Sequence, residues 1–352
     1  MKETVAILFG GESSEYEVSC ASAANVIENT DRSRYDVIKV GITKDGKWWI
    51  FRGTPDDIRS CTWDKKPELL VPAILSPCKA HHGFITFDKE KSTYGTVPVD
   101  VIFPVLHGKN GEDGTMQGLL TLSGVPYVGC DTCSSAVSMD KTIAKTIAER
   151  ENIPTVPFVS ALRSSKTDLN ALICECEEKF GYPVFIKPAN AGSSVGITKA
   201  KNRSEFLKGA ETAFAHDRKL LVEPAVTGRE IEVAVIGNKK LFASDCGEII
   251  PHSDFYDYDT KYNNDSAECI TDPKLDSEMN EKIGTLALKI YAALGCSGLS
   301  RVDFFLTENG PLFNEINTIP GFTQISMYPK LMEKAGIPYK KLITALLTLA
   351  KG

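Results

Sequence analysis

No uninterrupted apolar run approaches the roughly 18 residues that a membrane-spanning helix needs, so the sequence holds no candidate transmembrane helix. It has no basic block either. Its 40 Lys and Arg are spread along the chain against 46 Asp and Glu, for a net charge of -6. That argues against nucleic-acid binding. The start, Met-Lys-Glu-Thr-Val-Ala-Ile-Leu-Phe-Gly-Gly, is too quickly broken by glycine to read as a signal peptide, and a cytoplasmic location is the expectation. Ten cysteines are present, but no two pairs match zinc-ribbon spacing: Cys130 and Cys133 form a CxxC, Cys174 and Cys176 a CxC. Reduced thiols are expected, with no redox or zinc role. The GxxxxGK[ST] signature is also missing, which excludes a Walker A loop.

The chain does hold enough apolar residue, 42%, for several folded cores, and 352 residues imply two or three domains. Val5–Phe9 is a strand ending in Gly10-Gly11, followed by a helix covering Ala21–Ile27. Ser14 and Glu17 fit a capping box at its start. Glu17 is thereby explained, which leaves Glu15 as the candidate to receive an ammonium group. Asp36–Gly41 reads as a second strand and Lys47–Phe51 as a short edge strand. Val99–Val105 is a buried strand ending in Leu-His-Gly-Lys-Asn-Gly-Glu-Asp-Gly, residues 106–114. His107 stands at its carboxyl end, where open α/β sheets bind ligands. Val125–Val128 adds a strand, closing an α/β region at about residue 130.

Ser134–Arg150 reads as one helix, with Lys141 in Ser-Met-Asp-Lys. Pro183–Lys187 and Ile197–Ala200 read as strands joined by a Gly/Ser loop. Its N–H groups and the hydroxyls of Ser193 and Ser194 can cradle phosphate oxygens, and Lys187 can add a charge. A surface hairpin is the alternative. Glu230 and Glu232 alternate with apolar residues on a later strand, and Phe242–Ile250 forms another. The aromatic, charged stretch 254–266 reads as a lid or active-site loop, with Lys261 and Tyr262 as reaching groups.

Leu299–Leu306 and Leu312–Asn317 alternate in polarity around Asn309-Gly310, a hairpin signal. A turn centred on Asn309 sets Asp303 opposite Glu315 and Arg301 opposite Asn317. Facing carboxylates repel, and hard oxygen donors without His or Cys suit Mg²⁺. The hairpin therefore reads as a magnesium platform, or else as a charged, half-exposed hairpin. The Gly321 N–H follows where an oxyanion could form.

The order of these parts is the layout of the ATP-grasp fold. The chain resembles the D-alanine–D-alanine ligase family over nearly its whole length. The motifs that carry this are Gly-Gly-Glu-Ser-Ser-Glu-Tyr-Glu-Val-Ser, Leu-His-Gly-Lys-Asn-Gly-Glu-Asp-Gly, Ser-Met-Asp-Lys, Ile-Lys-Pro with Gly-Ser-Ser-Val-Gly, Phe-Tyr-Asp-Tyr-Asp-Thr-Lys-Tyr, Ser-Arg-Val-Asp and Asn-Glu-Ile-Asn-Thr-Ile-Pro-Gly-Phe-Thr. The resemblance implies an α/β chain, α+β in its ATP-grasp part, of three domains: 1–130, 131–225 and 226–352.

It also implies ATP and two Mg²⁺ ions (or Mn²⁺) as cofactors. Lys141, Lys187, Lys261, Ser193 and Ser194 would hold phosphates. Glu223, Val226, Glu230 and Asn314 would complete the nucleotide site. Asp303, Glu315 and Asn317 would ligate metal. Glu15, linked through Ser193 to Tyr262, would bind the first D-alanine, with His107 nearby. Arg301 and Gly321 would stabilise the oxyanion, and Ser326 would receive the second carboxylate. A homodimer is implied.

Phe103–Gly111 and Gly129–Thr132 resemble the vancomycin-resistance branch, which raises D-serine as second substrate. Tyr256, Met327 and Gly247, where that branch carries different residues, favour D-alanine. The retained Lys261-Tyr262 argues against D-lactate. Gln324-Ile325 departs from the family's pattern. Another carboxylate–amine ligase and a non-catalytic nucleotide-binding regulator are the remaining alternatives.

Overall fold

The computed structural model describes residues 2–88, 91–164, 167–251 and 267–352. The first sheet contains β1 (Glu3–Gly10), β2 (Tyr35–Ile42), β3 (Trp48–Phe51), β4 (Leu70–Leu75), β5 (Gly83–Asp88), β6 (Thr93–Pro98) and β7 (Val101–Pro104), in the order β6-β5-β4-β3-β2-β1-β7. Only β2-β1-β7 is parallel. Val5–Phe9 is wholly buried because a parallel strand is covered on both faces. Helices α1 (Tyr16–Asn29), α2 (Pro55–Arg59) and α3 (Thr115–Ser123) belong to this region.

Three expectations fail here. Glu15, not Ser14, is the N-cap of α1, with no side-chain cap bond, and Glu17 pairs instead with Lys44 at 2.5 Å. β3 lies between β2 and β4 rather than at an edge, since residues 70–98 contribute three strands that the sequence pattern hides among prolines and turns. Val125–Val128 forms only a single bridge, Ile102 to Tyr127.

The next helices are α4 (Thr132–Met139) and α5 (Lys141–Arg150). They are two helices rather than one, because Asp140 adopts extended backbone and caps α5 through the N–H groups of Thr142 and Ile143. The second sheet, β10-β9-β11-β8, is built from β8 (Val159–Leu162), β9 (Val184–Pro188), β10 (Thr198–Ala200) and β11 (Lys219–Pro224). α6 (Leu169–Lys179) and α7 (Arg203–His216) accompany it, capped by Asp168 and Asn202. The Gly/Ser loop joins the antiparallel pair β9 and β10.

The third sheet holds β12 (Arg229–Ile236), β13 (Phe242–Ala243), β14 (Gly247–Pro251), β15 (Ala267–Ile270), β16 (Leu299–Thr307) and β17 (Gly310–Asn317). Phe242–Ile250 is thus split between two strands. The sheet order is β15-β14-β12-β16-β17, with β13 on β12. α8 (Ser277–Ala293) covers one side, and α9 (Met327–Lys334) and α10 (Tyr339–Leu349) end the chain. Among the described residues no helix is long and apolar enough to cross a membrane. The described residues thus form a mixed α/β chain built on three sheets.

The hairpin β16–β17 pairs Arg301 with Asn317 and Asp303 with Glu315, as expected, but for a different reason. The turn residues are Glu308 and Asn309, because Thr307 already faces Gly310. A turn centred there would slip every pair by one. A β-bulge at Asn314, between the Phe304–Phe313 and Asp303–Glu315 pairs, restores the register at the acids.

Candidate active site

One cavity of about 720 Å³ lies between the three sheets. Every expected site residue within the described segments lines it: Glu15, His107, Lys141, Lys187, Ser193, Ser194, Glu223, Val226, Glu230, Arg301, Asp303, Asn314, Glu315, Asn317, Gly321, Ser326 and Met327. Tyr256, Lys261 and Tyr262 lie outside the described residues.

Glu15 is buried at the head of α1 and accepts a hydrogen bond from the Ser193 hydroxyl, 178 residues away. Two glycines let the loops close on it. A Cβ on Gly192 would sit 2.9 Å from Glu15 Oε2, and one on Gly108, whose φ is +69°, would collide with the same oxygen. Ser193 and Ser194 both have left-handed backbone, φ 49° and 59°. Lys141 anchors this Gly/Ser loop by donating to the Ala191 carbonyl at 2.9 Å, and it pairs with Glu315 at 3.1 Å.

His107 is buried, and burial keeps its imidazole neutral by lowering its pKa. Its Nδ1 lies 2.9 Å from the Ile319 carbonyl. A carbonyl only accepts, so Nδ1 carries the proton and Nε2 faces the Ser22 hydroxyl at 3.4 Å. Glu112 grips the same residue from the other side. Its carboxyl oxygens accept from the Ile319 N–H at 3.1 Å and the Gly108 N–H at 2.8 Å. Burial, with Glu15 next, pushes its pKa up to about 8. His107 and Glu112 therefore hold the backbone that leads to Gly321. The Phe322 N–H donates to Ser22 at 3.1 Å on the far side.

Three acids, Glu232, Asp303 and Glu315, stand side by side across β12, β16 and β17. Arg301 neutralises two of them. It makes two bonds to Asp303, at 2.8 and 2.7 Å, and lies 3.2 Å from Glu232. Burial works against its charge, but Asp303 and Glu232 outweigh that and raise its pKa well above the usual value. Asn317 Nδ2 donates to Asp303 at 2.9 Å. Asp303, Glu315 and Asn317 thus form a hard-oxygen donor set whose charge is balanced by Arg301 and Lys141. It suits a divalent cation that takes its remaining ligands from phosphate. Among the described residues no three of His, Cys, Asp and Glu converge as a self-sufficient metal site.

Glu223 is buried at the end of β11 between Lys145 and Lys187, each at 2.5 Å. Burial pushes its carboxyl up, yet the two lysines prevail and hold it below the ordinary range. At the opposite end of the cavity, Met327 packs against Gly247, where a Cβ would lie 2.7 Å from Met327 Sδ. Ser326 Oγ lies against Gly321 and accepts from the Thr323 N–H at 3.0 Å.

Sequence reasoning missed Lys145, Glu112, Glu232 and Ser22 as parts of this assembly. Lys145 had a signal, its i,i+4 spacing from Lys141 on α5. Glu112 stood inside a quoted motif and Glu232 on a quoted strand. Ser22 had none.

Two family models match the chain: the D-ala D-ala ligase N-terminus over residues 4–130 and the D-ala D-ala ligase C-terminus over 147–348. The D-alanine–D-alanine ligase of Caldicellulosiruptor bescii is 48% identical over 99% of this chain and 95% of its own length. The enzyme of the same name from Clostridium acetobutylicum is 48% identical over 99% and 98%. Among solved structures, the VanG D-Ala:D-Ser ligase of Enterococcus faecalis superposes with a TM-score of 0.90 at 40% identity, covering 99% of this chain and 100% of that one. The D-alanine-D-alanine ligase of Coxiella burnetii gives 0.88 at 34% identity, covering 99% and 94%. With its motifs, its sheets and its cavity in this order, the chain belongs to the D-alanine–D-alanine ligase family.

Proposed function

We propose that the protein joins two D-alanines at the expense of ATP, by way of a D-alanyl phosphate, to supply a peptidoglycan precursor. The observation that carries this is the Ser193–Glu15 bond. It ties the phosphate-type loop to the carboxylate that receives the first ammonium, so nucleotide and amino acid meet in one cavity. Glu15 orients the first D-alanine, and the amino acid's own carboxylate attacks the γ-phosphorus of ATP, breaking the bond to the β-phosphate and releasing ADP. Lys141 and Lys187 neutralise the phosphate oxygens. The second amine then attacks the acyl carbon, and the developing oxyanion is met by Arg301 and the Gly321 N–H. Phosphate leaves.

Asp303, Glu315 and Asn317 would hold Mg²⁺, or Mn²⁺ in its place, which when bound supplies the charge neutralisation that phosphoryl transfer needs. Glu223, Val226, Glu230 and Asn314 face the nucleoside. Ser326 takes the second carboxylate. Lys261 is assigned to the γ-phosphate, and Tyr262 and Tyr256 to substrate binding, by resemblance to the family alone. The working units are residues 1–130, 131–225 and 226–352, in a cytoplasmic homodimer.

Phosphate release and dipeptide mass, measured with ATP, Mg²⁺ and D-alanine, test the reading. No release with any D-amino acid would overturn it. Glu315→Gln is expected to lower turnover by about 10²-fold or more, the size of losing one electrostatic group, with an unchanged circular dichroism spectrum. Near-normal turnover would remove Glu315 from the metal site.

The likeness to VanG supports a second reading, D-alanine–D-serine ligase. Met327, packed against Gly247, gives the second subsite an apolar wall. Such a wall discriminates by only about 10²-fold, so D-alanine is the preferred rather than the exclusive second substrate. Competition between D-alanine and D-serine decides between the two.

A further inference from the structure

Lys145 lies behind the nucleotide end of the cavity and does not line it. Its side chain is 1% exposed and that of Glu223 is 2% exposed. One turn earlier on α5, Lys141 reaches the cavity and pairs with Glu315. Lys145 instead approaches Glu223 Oε1 at 2.5 Å and donates to the Val156 carbonyl at 3.2 Å. Val156 and Glu223 both line the cavity. The other oxygen of Glu223 meets Lys187. Lys187 does line the cavity and is assigned above to phosphate, so it cannot serve Glu223 alone once nucleotide is present. Lys145 has no such second duty. A buried ammonium is costly unless paired, and here the pair is a carboxylate that faces the nucleotide.

We propose that Lys145 is a positioning residue for purine recognition. It holds the Glu223 carboxylate in one orientation, so that the carboxylate accepts a hydrogen bond from the 6-amino group of adenine and rejects the 6-oxo group of guanine. This rests on the reading of Glu223 as the adenine-facing residue. The rejection follows from lone pairs: a carboxylate offers only acceptors, and guanine presents another acceptor at that position. Without Lys145, Glu223 is left with a lysine that nucleotide phosphates draw away, and its aim relaxes.

The test uses the full chain and the variants Lys145→Met, Glu223→Met and the double substitution. Phosphate release is followed with ATP and with GTP, and thermal midpoints are recorded. For Lys145→Met, loss of one charge-assisted contact is expected to raise the KM for ATP about tenfold and to narrow the ATP-over-GTP preference by a similar factor. The KM for D-alanine stays as in the wild type. A merely structural role would lower the thermal midpoint and turnover without changing nucleotide preference, and that result overturns the proposal.

If Glu223→Met leaves the ATP KM and the preference unchanged, the reading of Glu223 fails. If Glu223→Met changes both and Lys145→Met changes neither, only the assignment of Lys145 fails. Should Lys145→Met not fold, the double variant remains informative, because removing both buried charges avoids leaving one unpaired. It should match Glu223→Met in nucleotide KM and preference. A further loss in the double variant shows that Lys145 does not act through Glu223.

Discussion

The backbone of Ile319 is held at both ends, its carbonyl by the neutral His107 and its N–H by Glu112. The sequence pattern marked His107 as a ligand-facing residue. Its hydrogen bonds show that it also fixes a loop 212 residues away. Glu112 was overlooked because a carboxylate in a glycine-rich turn looks solvated, and only packing removes its water. That burial has a pH signature. Its folded-state pKa is raised from 4.5 to about 8, so the stability it contributes is present below the lower value and lost as pH rises through the upper one. In urea titrations without ligand, the wild type should lose stability relative to Glu112→Gln between these values, and the difference should level off above about 8. A pH-independent difference would show that Glu112 is ionised throughout.

At the scale of elements, two local breaks make the site. Asp140 separates α4 from α5 and caps α5, which carries Lys141 and Lys145. It also meets Lys219 from β11. Asp140→Ala should lower stability by about 1–2 kcal/mol, the usual value of a cap, and should raise the KM for ATP as the two lysines shift. Urea unfolding and steady-state kinetics read both effects, and an unchanged KM would separate the cap from the site. The helical period runs through this break undisturbed, so the sequence reads as one helix. The bulge at Asn314 is the second break. The Asp303–Glu315 pairing was legible from alternation, while the extra residue that realises it was not. A bulge depends on strand twist and neighbours rather than on the identity of a single residue.

Over the whole molecule, Phe322 joins the N-terminal sheet to the C-terminal helices. Its ring contacts Phe103, Tyr328 and Tyr339, with centroids 5.8, 5.7 and 6.0 Å apart. Its carbonyl accepts from Asn25 at 3.1 Å and from Tyr339 at 2.5 Å. Phe322→Ala should cost about 3–5 kcal/mol and, by loosening residues 318–323 behind the cavity, should lower turnover as well. Calorimetry should show unfolding that is broader or more split than in the wild type. A variant that unfolds like the wild type would relocate the junction. The residues that line the cavity could be named from the chain alone, because phosphoryl and acyl transfer need particular side chains in a particular order and these appear as contiguous motifs. What supports them could not, since Lys145, Glu112, Ser22 and the Phe322 carbonyl reach partners 78, 207, 300 and 297 residues away in the chain. By itself the sequence determined the family and the residue types that line the cavity. The tertiary structure decided which buried charges are paired, which loops are gripped and how the register reaches the acids, because burial and long-range pairing are properties of packing and leave no local period to read.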